Sequence, residues 1–156
     1  MPEVIQHELE IAATPDQVWR VLMDFNAYAR WNPFVRQISG EASLGGVLSL
    51  SIQSGHHCVM GFSPSVIAVE PRRRFSWRGH LYIPGLFDGE HHFEIEAVAE
   101  NRVCFRQVEY FSGLLNRLIL KFVREQTTSG FKAMNVALKK EVERAKIDYT
   151  HGITTP

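Results

Sequence analysis

The stretch LLNRLILKFVREQTTSGFKAMNVALKKEVERA, Leu114 to Ala145, decides the fold. Its apolar residues recur at helical spacing: Leu115, Leu118, Ile119, Phe122 and Val123, then Met134, Ala137, Leu138 and Val142. One long amphipathic helix is predicted. Between the two groups the inward stripe is interrupted by Gln126, Thr127 and Gly130, small or polar residues at positions where core packing should be densest. A helix with such a gap, lying across a sheet, encloses space for a small molecule.

The chain before this helix is rich in strand patterns. From Val4 to Ala12, Ile5, His7, Leu9 and Ile11 share one face and Gln6, Glu8 and Glu10 the other, the alternation of a half-buried strand. Thr14-Pro15-Asp16-Gln17 then opens a helix, with Thr14 as N-cap, Pro15 in the first turn and Gln17 placed to close a capping box. Val18, Trp19 and Leu22 form its buried side. A second short helix is expected over 24–31, where Phe25, Tyr28 and Trp31 are spaced three apart, and Pro33 ends it.

From Val35 on, turn signals punctuate the chain at Gly45-Gly46, Ser54-Gly55, Pro71, Pro84-Gly85 and Glu100-Asn101. Six strands fit between them, over 35–43, 47–53, 57–69, 74–82, 87–98 and 102–111, and short turns predict an antiparallel meander. Pro64 lies inside the third, which calls for a bulge or an edge there. The expected fold is thus α+β: a curved antiparallel sheet of about seven strands around a long C-terminal helix, with two short helices between the first and second strands. One domain over residues 1–150 is expected, with 151–156 as a frayed tail.

Composition narrows the function. The chain has 156 residues, 45% apolar and 22% charged, with 17 basic and 17 acidic side chains. That is one soluble globular domain, without the clustered basic face that nucleic acid requires. Arg72-Arg73-Arg74 reads as a solvated turn. No segment has the apolar length of a membrane span, and Met1-Pro2-Glu3 leads into the first strand without the charged lead or apolar run of a secretory signal. Cys58 and Cys104 show no CxxC spacing and read as buried thiols, so a cytoplasmic location is expected. The pairs His56-His57 and His91-His92 sit where neighbours point to opposite faces, so no metal site is expected. Hydrolase, nucleotide and dinucleotide signatures are missing from the sequence, and no cofactor is called for.

The order of elements, together with the stretch 24–34 (DFNAYARWNPF), resembles the START-like helix-grip superfamily. More narrowly it is similar to the polyketide cyclase/dehydrase and lipid-transport type of SRPBCC proteins, on 75–79 (FSWRG), 89–93 (GEHHF) and 109–115 (EYFSGLL) as well. The resemblance implies a hydrophobic cavity between the sheet and the C-terminal helix. It supplies no catalytic residue, since no position here matches a cyclase's acid or base, and its motifs say little about activity because superfamily members range from carriers to enzymes.

Chemistry is most concentrated in the last hairpin. A turn near Glu100 pairs Ile95 with Phe105, Phe93 with Gln107 and His91 with Glu109, which predicts a cross-strand His–Glu pair facing the cavity. Such a pair can shuttle a proton, and His91 and Glu109 are the catalytic candidates. The quieter reading is that the two groups satisfy each other in the wall or orient the polar end of a ligand. The cavity is expected to be lined by Trp31, Phe34, Trp77, Phe87, His91, Phe93, Phe105, Gln107, Glu109, Phe122, Gln126 and Gly130. The turn 81–87 (LYIPGLF) is apolar without a core reason and reads as a lid or a homodimer contact, since no cation lies within it to favour a membrane surface. Three functions fit: a carrier or sensor of a hydrophobic lipid, polyketide, isoprenoid or aromatic metabolite; a cyclase, dehydratase or isomerase using the His–Glu pair; and a protein-interaction module.

Overall fold

The computed structural model describes residues 2–151. Eight strands, two short helices with a 3-10 turn between them and one long helix follow in the order β1 (Glu3–Ile11), α1 (Pro15–Met23), the 3-10 turn Phe25–Ala27, α2 (Tyr28–Trp31), β2 (Val35–Gly40), β3 (Leu48–Ser54), β4 (Cys58–Phe62), β5 (Ser65–Glu70), β6 (Arg74–His80), β7 (Asp88–Ala99), β8 (Arg102–Ser112) and α3 (Asn116–His151). This is the expected α+β helix-grip architecture. The helix runs on past Ala145, and the part of the expected tail beyond His151 lies outside the described residues.

Local chemistry explains the first helix. Thr14 Oγ1 accepts from the Gln17 backbone N–H at 3.3 Å, and Gln17 Oε1 accepts from the Thr14 N–H at 2.9 Å, so two end donors are satisfied reciprocally. After α2, Asn32 Oδ1 accepts from the N–H groups of Phe34 and Val35 at 3.0 and 2.9 Å, which turns the chain into β2.

Two sheet segments form the wall. One has the order β1-β8-β7-β6-β5 and the other β2-β3-β4, all pairs antiparallel. The predicted strand over 57–69 is two strands, β4 and β5, that belong to different segments. Proline is the reason. Pro64 has no N–H for a ladder, and the chain breaks at Ser63-Pro64. The segments stay in touch through the residues before β3: Leu48 N donates to Pro64 O at 2.9 Å, and Val66 N to Gly46 O at 2.8 Å.

The core lies between the five-stranded segment, the short helices and α3. Phe75, Phe93, Phe105, Phe131, Met134 and Leu138 are fully buried there. Removing side chains of this size from water is the main source of stability, at about 25 cal/mol per Å² of apolar surface. Cys58 is exposed and Cys104 half-buried, contrary to the expectation of two buried thiols. Cys58 starts a short edge strand, and Cys104 takes the outward phase of β8, opposite Glu10 and Glu96.

Candidate functional site

The register of β7 and β8 sets His91 opposite Glu109, Phe93 opposite Gln107 and Ile95 opposite Phe105, the pairing expected from the turn at Glu100. His91 Nδ1 lies 3.4 Å from Glu109 Oε2. The imidazole is 3% exposed and packed among rings, stacked on Trp77 with centroids 5.0 Å apart and edge-on to Phe131 at 5.0 Å. Its Nε2 is buried without a hydrogen-bond partner. Glu109 reaches open space beyond.

That space is a cavity of about 140 Å³ between the two sheet segments and the first half of α3. From the large segment come Trp77, Gly79, His80, Gly89, Glu109 and Phe111; Leu50, Ile52, Gln53, Ser54, Met60 and Phe62 come from β3 and β4. Ile119, Val123, Gln126 and Thr127 of α3 form the roof, and Phe34, Pro64, Leu81 and Phe87 complete the wall. The lining is mostly apolar, and among the residues that form it Glu109 is the one carboxylate and His80 the one imidazole. At the mouth Ser54 Oγ donates to Gln126 Oε1 at 3.2 Å, a clasp between β3 and α3.

Of the residues expected to line the cavity, Phe34, Trp77, Phe87, Glu109 and Gln126 do so. The others lie elsewhere. Phe122 is 70% exposed, and Leu118 of the same predicted stripe is 57% exposed. The buried arc of α3 is narrower than the predicted stripe: Ile119, Val123 and Thr127 face the cavity, Leu120 is buried, and Arg124 on that flank bonds Glu3 and the Val4 carbonyl of β1. Residues 118 and 122 fall on the remaining arc of the helix, in solvent.

Trp31 packs on Tyr28, centroids 5.0 Å apart, and does not line the cavity; α2 is tied instead to the second half of α3, where Arg30 pairs with Glu141 at 2.7 Å. Phe93 and Phe105 stack on each other in the core at 6.2 Å. Gln107 is fully buried and donates to Asn135 and to the Phe131 carbonyl, so helix α3 covers it. His91 stands behind Glu109 rather than on the wall, because the rings of Trp77 and Phe131 close over it. Gly130 leaves no gap of its own, since the Phe34 ring occupies the space a side chain there would take. The expected opening along α3 is therefore made by Gln126 and Thr127, and Phe34 transmits the missing Gly130 side chain to the wall.

Sequence reasoning missed the β3–β4 side of the cavity. Leu50 and Ile52 alternate as core residues do, Met60 and Phe62 sit in a strand that looked continuous with β5, and only the third dimension brings them opposite Glu109.

The turn 81–87 is held against the start of α3: Leu114 N donates to Gly85 O at 3.0 Å and Leu115 N to Leu86 O at 2.9 Å. Tyr82 at its tip is 83% exposed, while Leu81 and Phe87 at its base line the cavity. Among the described residues no group of three or more His, Cys, Asp and Glu side chains gathers to hold a metal ion, and no helix is long and apolar enough to cross a membrane.

On the outer face of the sheet a second polar cluster joins Ser76 Oγ to His92 Nδ1 at 2.8 Å and His92 Nε2 to Glu90 Oε1 at 3.1 Å. Burial holds the His92 pKa below the ordinary imidazole value, against the opposing pull of Glu90. Glu90 is lowered, because hydrogen bonding and charge from Arg78, aided by His92, outweigh the burial that would raise it. Ser76 is fully buried, which denies its hydroxyl to any substrate.

A long helix gripped by a curved antiparallel sheet, with an apolar cavity between them, defines a helix-grip protein of the kind that binds hydrophobic ligands or cyclises polyketides. Residues 3–143 match the family described as polyketide cyclase/dehydrase and lipid transport, and the chain belongs to that family. Solved structures share the fold. The Zhui aromatase/cyclase from Streptomyces sp. R1128 superposes with a TM-score of 0.73 at 20% identity, over 92% of this chain and 95% of that one. A norcoclaurine synthase point mutant from Thalictrum flavum gives 0.71 at 18% identity, over 94% and 97%. A START superfamily protein from Mycobacterium smegmatis gives 0.71 at 16% identity, over 91% and 98%. A comparison with curated proteins gives no match.

Proposed function

We propose that the protein is a non-catalytic carrier or sensor that holds a hydrophobic small molecule in the cavity beneath α3. The observation that carries this reading is the lining itself: a wall of aliphatic and aromatic side chains with one carboxylate inside and a polar clasp at the mouth. Binding free energy would come from apolar burial at about 25 cal/mol per Å², and Glu109 and Gln126 would set the ligand's orientation. Lipids, polyketides, isoprenoids and aromatic metabolites fall within this class. Native mass spectrometry of freshly purified protein, followed by organic extraction, tests it. A retained stoichiometric small molecule supports the reading. A protein that arrives empty and takes up no hydrophobic probe overturns it.

The second reading is an enzyme, a cyclase, dehydratase or isomerase, and the His91–Glu109 contact is the observation in its favour. The aromatase/cyclase and norcoclaurine synthase that share the fold make the class concrete. Glu109→Gln should then leave binding within several-fold and remove turnover. Turnover that survives this change excludes Glu109 as the acid or base. A third reading, an interaction module or homodimer, rests on the exposed turn at Tyr82 and is tested by Tyr82→Ser combined with Leu86→Ser. No change in oligomer size or pull-down sets it aside.

A further inference from the structure

The carboxylate in the cavity wall is only half engaged. Glu109 Oε2 faces His91 at 3.4 Å, whereas Oε1 has no hydrogen-bond donor among the described residues. Oε1 lies over Gly89, where an added methyl group would come within 2.6 Å of it. The missing side chain on β7 is what leaves that oxygen open to the cavity. Trp77, Phe87 and Phe111 line the same end, and the volume of about 140 Å³ is close to that of an apolar cavity that holds a single benzene ring.

We infer that the site selects a phenol: one aromatic ring whose hydroxyl donates to Glu109 Oε1. This rests on the ligand-binding reading above and narrows it. A carboxylate oxygen only accepts, so an ether, a ketone or a second carboxylate would set lone pair against lone pair. A ring with no polar group would strip Oε1 of water and give nothing back. An ammonium must shed the hydration of a full charge to enter, a cost that the single free oxygen meets only in part; a hydroxyl has one donor, and Oε1 meets it. A volume of about 140 Å³ admits one ring, and substituents on its far side leave through the open mouth beside Gln126.

The test is calorimetric titration of the full chain with 4-methylphenol, p-xylene, 4-methylanisole and 4-methylbenzylamine, which share a ring and differ in the group offered to Glu109. The phenol should bind at least about tenfold more tightly than p-xylene, as expected for a hydrogen bond to a charged acceptor, and 4-methylanisole should gain nothing. Gly89→Ala places a methyl against Oε1 and should shrink the gap to about threefold or less while p-xylene still binds. If p-xylene or 4-methylanisole matches the phenol in the unmodified protein, Glu109 does not select a donor and the inference fails while the apolar cavity stands. A tighter amine overturns the hydroxyl assignment. Failure of all four probes to bind overturns the cavity reading and this inference with it.

Discussion

The ring of Phe34 fills the space that a side chain at residue 130 would occupy, so a strand-entry residue and a mid-helix glycine interlock across the core. Phe34 is also edge-on to Phe131 at 5.7 Å and lines the cavity. Two effects compete in Gly130→Ala. Alanine in a helix interior is favoured over glycine by about 0.5–1 kcal/mol. Overpacking a well-filled core costs about 1–3 kcal/mol, and the obstacle here is a ring fixed by its neighbours, so the steric cost should win. A net loss of stability in urea unfolding is the expected outcome; a stabilised variant would show that Phe34 moves freely.

Beneath α3, Gln107 donates to Asn135 Oδ1, and Asn135 Nδ2 donates to the His7 carbonyl at 3.0 Å, tying β8, α3 and β1 together. Gln107 and Asn135 are both fully buried. Asn135→Leu should cost about 1–3 kcal/mol, because it leaves the buried Gln107 amide with only its longer bond to the Phe131 carbonyl and takes the Asn135 donor from the part-buried His7 carbonyl. Gln107→Leu with Asn135→Leu should cost at least about 1 kcal/mol less than the sum of the single changes, since the pair fails together. A double-mutant cycle by chemical denaturation reads both numbers, and additive losses would show the two amides to be independent.

Much of this architecture was legible because its signals are local. Thr14 and Gln17 are three residues apart, so their reciprocal bonds follow from sequence spacing. His91 and Glu109 are farther apart, yet one hairpin joins their strands, and a β-bulge between Ala97 and Ala99 next to the turn sets the register that pairs them. What escaped depends on tertiary placement. Pro64 marked a disturbance, but whether it bulges a strand or ends it is decided by which segment each half joins. Phe122 and Val123 are equally apolar neighbours, and only the curvature of the sheet decides which of them faces the cavity. The contact of Phe34 with Gly130 joins distant parts of the chain and has no local pattern at all.

The buried imidazole on the outer face makes stability depend on pH. His92 has a lowered pKa through burial, and His7 likewise through burial and the Lys132 charge. The unfolded chain then takes up protons near the ordinary value of 6.5 while the folded one resists, so stability rises with pH across that window. It should fall as pH drops below 6.5 toward the folded values and level off beneath them. Unfolding measured from about pH 5 to about pH 7.5 should show this slope, with His92→Gln flattening part of it and His7→Gln another part. An unchanged slope in both variants would place the titrating group elsewhere. Glu90 and Glu141, held below the usual carboxylate range by their arginine partners, act at lower pH and leave this window clear.

Val123 and Phe122 separate a filled cavity from a changed surface. Val123 is in the roof, and Phe122, one residue earlier, is in solvent. Val123→Trp adds far more volume than a single methylene and points it into a space of about 140 Å³, where it should occupy the place of a ligand. The open space spares the core the usual penalty of overpacking, so folding should survive. Binding of an apolar probe such as p-xylene should therefore fall by at least about tenfold, the equivalent of about 1.4 kcal/mol. Phe122→Trp should leave the same binding within about twofold, because it only exchanges one exposed ring for another. Circular dichroism and thermal unfolding of both variants check that the fold is intact. Equal effects from the two substitutions would mean that the ligand sits outside the roofed cavity, and loss of binding from Phe122→Trp alone would move the site to the solvent face of α3.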